Sequence, residues 1–150
     1  MRAAFDTNVL AYAEGVEQSE ADTTKRRLAQ RLLRSLTREE ILLPRQALAE
    51  LHFVLVRKAG LSPATASSRV QEWQGAGRVI DTDAAVFAGA LELASRNAVP
   101  IFDAIILGAA AEGRCDLLLS EDFQEGFAWR GVAVANPFAA SPNPRLRPLL

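Results

Sequence analysis

Apolar residues along this chain come in two rhythms, short unbroken runs and helical stripes, and the two alternate. "RAAF" predicts a short buried strand over Arg2–Phe5. Helical spacing follows over Thr7–Glu14, with Val9, Leu10 and Ala13 on one side and Gly15 as the stop. A second helix is predicted over Glu20–Leu36, where Leu28, Leu32, Leu33 and Leu36 form the apolar stripe and Arg27, Arg31 and Arg34 share another face. Ile41–Leu43 reads as a strand ended by Pro44, and Arg45–Lys58 as a helix with Leu48, Leu51 and Leu55 inward, closed by Gly60. Ser62–Gln74 opens with Ser-Pro, a cap followed by proline at the first helical position. Arg78–Ile80 is a strand, and Asp83 caps a helix running to Arg96. A helix over Asp103–Glu112 stops at Gly113, then Asp116–Ser120 and Val132–Val134 are strands. After Asn136 the chain turns Pro-rich and patternless, so residues 1–138 read as one domain and 139–150 as a C-terminal tail.

The strands are continuous apolar runs, not alternating ones. That favours an α/β fold, a central parallel sheet covered by helices on both faces. A length of 150 residues suits a single domain. With 49% hydrophobic and 23% charged residues, the composition is that of a soluble globular chain, and no run is long enough to span a membrane. No basic stretch leads into a cleavable apolar segment, and the single cysteine, Cys115, has no partner for an internal disulfide. Both point to a reducing, cytoplasmic setting. The formal net charge of −1 is not the footprint of a nucleic-acid binder.

In parallel α/β folds, ligands bind beyond the carboxyl ends of the strands. Asp6 follows the first predicted strand, and Ser120, Glu121 and Asp122 follow "DLLL". Asp103 opens a helix, and Glu50 sits among Leu48, Leu51 and Phe53. Each has a bland reading. Asp6 and Asp103 serve as helix caps, Ser120 and Asp122 as turn residues, and Glu50 as part of a wet helix face. The bland readings leave unexplained why acids gather at one sheet edge. The alternative is a divalent metal site, because carboxylate oxygens are hard ligands suited to Mg²⁺ or Mn²⁺. Two like charges at about 4 Å repel by roughly 4 kcal/mol at an effective dielectric near 20, so such a cluster needs a proton or a cation.

"FDTNVLAY", "LAEL", "FDAIILGAAAEGRCDLLLSEDFQEG" and "VANPF", in this order and spacing, resemble the PIN domain. Within it they look most like the VapC-type toxins of bacterial toxin–antitoxin pairs. The resemblance covers about Arg2 to Phe138. It implies a metal-dependent ribonuclease whose four acids fall on Asp6, Glu50, Asp103 and Asp122, as catalytic residues and as ligands of one or two Mg²⁺ or Mn²⁺ ions. It also implies supporting roles for Asn8, which would orient a ligand by hydrogen bonding, and for Ser120, which would brace the carboxylates. Hydrolysis by an activated water would leave a 5′-phosphate and a 3′-hydroxyl. The implied partners are an RNA substrate, a cognate antitoxin and a second copy of the chain, with no membrane.

Other residues read as structural. His52 points about 200° from Glu50 around its helix and reads as packed or surface-exposed. Cys115 reads as a small buried residue, Trp73 and Trp129 as packing, Glu121 as exposed, and the Arg27–Arg31–Arg34 face either as a phosphate track or as a solvated face paired with Glu20 or Glu39. Two rival functions remain. A phosphatase of the haloacid dehalogenase type would use Asp6 as nucleophile, but it needs an aspartate where Asn8 stands. A binding module could keep the fold without the chemistry.

Overall fold

A computed structural model describes residues Met1–Leu150. The order of elements is β1 (Ala3–Phe5), α1 (Thr7–Glu14), α2 (Glu20–Arg34), β2 (Ile41–Pro44), α3 (Arg45–Arg57), α4 (Pro63–Ala76), β3 (Arg78–Ile80), α5 (Ala84–Asn97), α6 (Ile101–Glu112), β4 (Leu117–Leu119), β5 (Ala128–Trp129) and β6 (Val132–Ala135). A 3₁₀-helix over Pro144–Leu149 closes the chain.

Six strands form one sheet in the order β3-β2-β1-β4-β6-β5. All neighbours are parallel except β5 and β6. Every residue of β1, β2 and β4 is buried. Successive strand side chains point to opposite faces, so both faces of the sheet are covered by helices. The chain leaves β1 toward β2 and β3, then returns to lay β4 on the other flank of β1. The crevice beyond the ends of β1 and β4 is therefore a topological switch point.

Local chemistry sets the helix ends. Gly15 stops α1 in the left-handed region at φ 85°, with its N–H on the carbonyls of Ala11 and Tyr12. Ser62 and Asp83 cap α4 and α5 through the backbone N–H groups of Thr65 and Val86. α6 departs from the sequence reading, because it begins at Ile101 behind Pro100 and Asp103 lies inside the first turn. The C-terminal segment departs further. In place of a patternless tail, Leu146 and Leu149 are buried in the same core as β1 and α6. The apolar surface of those two leucines, spaced at one 3₁₀ turn, outweighs the cost of ordering a Pro-rich stretch.

β5 was not expected. It is a two-residue strand joined to β6 by Arg130 and Gly131, both at positive φ (46° and 86°), as a tight hairpin requires. The Arg130 guanidinium lies 4.3 Å over the Trp129 ring and pairs with Glu92, tying the hairpin to α5.

Candidate active site

Four separate elements carry the candidate acids, and Asp122 links the two openings that Glu50 and Asp103 line. Asp6 follows β1, Glu50 lies on α3, Asp103 on α6, and Asp122 just past the end of β4. Asp6 is only 2% exposed. Its Oδ1 accepts from the Thr7 backbone N–H at 2.6 Å, so Asp6 is the cap of α1. Its Oδ2 accepts from Ser120 Oγ at 2.5 Å. Cap and site member are thus not alternatives for this residue. They are alternatives for Asp103, which makes no cap hydrogen bond at the start of α6.

Ser120, itself buried, works in two directions. It donates to Asp6, and its Oγ accepts from the Asp122 backbone N–H at 3.1 Å. Asn8 Nδ2 donates to Asp122 Oδ2 at 2.9 Å, with longer contacts of 3.5 Å to Asp6 Oδ2 and Ser120 Oγ. Asn8 Oδ1 is buried with no partner. Glu50 is held on both oxygens: Thr7 Oγ1 donates to Oε2 at 3.1 Å and Gln46 Nε2 to Oε1 at 3.0 Å. Thr7 and Gln46 were not singled out in the sequence. Thr7 had a signal, its place between Asp6 and Asn8, whereas Gln46 had only helical spacing to Glu50.

The acids feel one another. Burial, with added repulsion from Asp103 and Asp122, raises the Asp6 carboxyl to about 7 even though Ser120 and Thr7 stabilise its charged form. Asp103 is raised to about 6, first by burial and then by the charges of Asp122 and Glu50. A cleft of about 300 Å³ runs past Asn8, Tyr12, Glu50 and Asp122, with Lys58 as its one lining cation. On the other side of Asp122 a pocket of about 200 Å³ is lined by Pro100, Asp103, Phe123 and Phe127. The donor set is all oxygen and carries unrelieved repulsion, and an orphaned carboxamide oxygen lies beside it. That set fits a hard divalent cation in chemistry, though no three acids converge tightly enough to define an ion position.

Glu121 is not simply exposed. Lys25 Nζ donates to its Oε2 at 2.7 Å and the Tyr12 hydroxyl to its Oε1 at 2.8 Å. Tyr12 in turn meets Phe138 edge-on at 5.1 Å. Desolvation opposes the Lys25 charge, but Glu121 and Tyr12 overcome it and hold the ammonium above its ordinary value. Glu121 is thus committed to a strut between α2 and the segment that carries Asp122. His52 bonds Ser67 at 3.0 Å and joins α3 to α4. The Trp73 indole donates to Glu14 at 2.7 Å, and burial pushes the Cys115 thiol up to about 12. None of these three reaches the acids.

Comparison with curated protein sequences finds no match. Solved structures do resemble the fold. VapC20 of Mycobacterium tuberculosis, described as a toxin that cleaves the sarcin–ricin loop, aligns over 80% of this chain and 91% of its own, with a TM-score of 0.65 and 18% identity. A toxin–antitoxin complex from Klebsiella pneumoniae aligns over 90% and 97%, also with a TM-score of 0.65 and 18% identity. DNA-bound VapBC from Salmonella typhimurium covers 89% and 96%, with a TM-score of 0.56 and 18% identity. The family model of the PIN domain matches residues 3–127, from the first strand through the segment carrying Asp122, and on that match the chain belongs to the PIN domain family.

Proposed function

We propose that this PIN domain is a divalent-metal-dependent endoribonuclease and that it acts as the toxin of a toxin–antitoxin pair. One observation carries the reading: Asp6, 2% exposed and raised to about 7, is buried at the switch point within the field of other acids. A cap alone gains nothing from burial among like charges.

Asp6, Glu50, Asp103 and Asp122 are the residues that would hold Mg²⁺ or Mn²⁺. When bound, the ion neutralises the acids, polarises the scissile phosphate and makes a water acidic enough to attack it. Ser120 fixes the relation between Asp6 and Asp122, since it hydrogen-bonds both. Asn8 holds Asp122 by its Nδ2, and its buried, unpartnered Oδ1 is a further acceptor. Thr7 and Gln46 hold the Glu50 carboxylate in place by a hydrogen bond to each oxygen. Lys58, on the cleft wall, supplies a positive contact for a substrate phosphate. With water as nucleophile, the products are a 5′-phosphate and a 3′-hydroxyl.

The toxin role draws its support from the VapC and VapBC structures that share the fold. It brings an antitoxin partner, a homodimer and a cytoplasmic setting into the proposal. No helix is long and apolar enough to cross a membrane. The phosphatase alternative lacks its second aspartate, because Asn8 stands in that place and donates to Asp122. Purified protein should cut single-stranded or looped RNA with Mg²⁺ or Mn²⁺, stop on chelation and resume on adding either ion. Cleavage that survives thorough chelation rules out the metal-dependent reading.

A further inference from the structure

A second cavity, of about 630 Å³, lies against the outer strand β3, away from the acids. Its wall carries Arg2, Arg38, Arg45 and Arg78 against a single carboxylate, Glu39, and Val79 is its one apolar side chain. The fold explains the gathering. Arg2 precedes β1, Arg38 leads into β2 and Arg78 opens β3. These strands are parallel neighbours, so their starts share the amino edge of the sheet. Arg45 arrives from the far end of β2 and pairs with Asp81 across the register. The other three guanidinium groups are exposed and make no ion pair.

We infer that this groove binds the phosphate backbone of a single-stranded RNA segment outside the cleavage cleft. Guanidinium forks match phosphate oxygens, and several of them facing one concavity repel until anions join them. The wall offers no aromatic or broad apolar platform on which a base could stack, so the grip is on the backbone and independent of sequence. At about 630 Å³ the groove has room for more than one phosphate. Its Arg45 end opens α3 where β2 ends, so one end of the groove lies at the same edge of the sheet as the acids. The choice of RNA as the strand rests on the nuclease reading, while the charge arrangement stands without it.

The test is the affinity of a labelled single-stranded RNA, with excess chelator so that no cleavage intervenes, measured across a range of salt. The triple variant Arg2→Gln, Arg38→Gln, Arg78→Gln should bind more weakly. Its slope of log affinity against log salt should be shallower by about 2, at roughly 0.7 per phosphate contact on a single strand. A charge-matched control, Arg27→Gln, Arg31→Gln, Arg34→Gln on the outer face of α2, should keep the parental slope. The corresponding Arg→Lys triple in the groove should keep it as well. An unchanged slope in the groove triple, or an equal loss in the α2 triple, overturns the site. A groove triple that holds RNA normally but loses an acidic peptide assigns the groove to a protein partner and also overturns it. A parent that binds RNA through the groove yet cleaves none sinks the nuclease reading and leaves the groove standing. A parent that cleaves while the groove triple keeps its slope does the reverse.

Discussion

Asp103→Asn removes one charge and almost no volume. Asp103 caps nothing, so its loss takes no hydrogen bond from the start of α6. The metal-free variant should be as stable as the parent or more stable by about 1 kcal/mol, the screened repulsion relieved in a cleft open to water. Its cleavage rate should fall by orders of magnitude, and Mg²⁺ should no longer raise its melting temperature. Ser120→Ala is the contrasting case. It strips Asp6 of its strongest side-chain donor and should destabilise the fold by about 1–3 kcal/mol, read by denaturant titration. The metal-free parent should also respond to pH in a defined direction. Asp6 and Asp103 are held near 7 and 6, above their ordinary 3.8, so the fold prefers their protonated forms. That contribution is full below about pH 4 and is lost as pH rises through 6 to 7. Melting temperature without metal should therefore fall across that window, and a bound divalent cation should flatten the fall. A metal-free melting temperature that rises through the same window would show that these carboxyls are paired, not crowded.

At the scale of elements, the long periodic helices and the unbroken apolar strands were legible in the sequence because burial on one face or on both leaves a direct pattern. The misses have physical causes. α6 starts two residues before the predicted Asp103, because Pro100 stands at its N-cap with no side-chain cap bond to mark the boundary. β5 escaped because a two-residue strand has no periodicity, and its turn uses Arg130 where Asn or Asp would have announced it. The 139–150 segment misled through its prolines, which set the 3₁₀-helix while Leu146 and Leu149 anchor it. The candidate acids were legible as types and positions, but their hydrogen-bonded supports were not, since Thr7 reaches Glu50 across 43 positions of chain. Leu146→Ala tests the closing segment directly. With that side chain fully buried, the loss should be about 2–4 kcal/mol by denaturant unfolding, against almost none for a loose tail. At the β2–β3 seam, a Cβ at Gly77 would lie 2.7 Å from the Ile41 carbonyl oxygen, so Gly77→Ala should cost about 1–3 kcal/mol.

For the whole molecule, a net charge of −1 conceals a separation of charge. Acids line the cleft at the switch point, whereas the amino edge beside β3 carries Arg2, Arg38 and Arg78 together with Glu39, Glu40 and Asp116. A uniform tally of charge therefore says little about a chain that would meet phosphate at one edge and metal at the other. The same distribution makes the metal central, because without it the carboxyl edge repels the substrate. The most direct test is cleavage of a single-stranded RNA by the parent and by Asp6→Asn, Glu50→Gln and Asp103→Asn, with Mg²⁺ and after chelation, beside melting curves of each. The parent should cleave only when metal is present, and the variants should stay folded yet lose cleavage by orders of magnitude. Folded variants that cut RNA as well as the parent, or a parent that cuts equally well without metal, would contradict it.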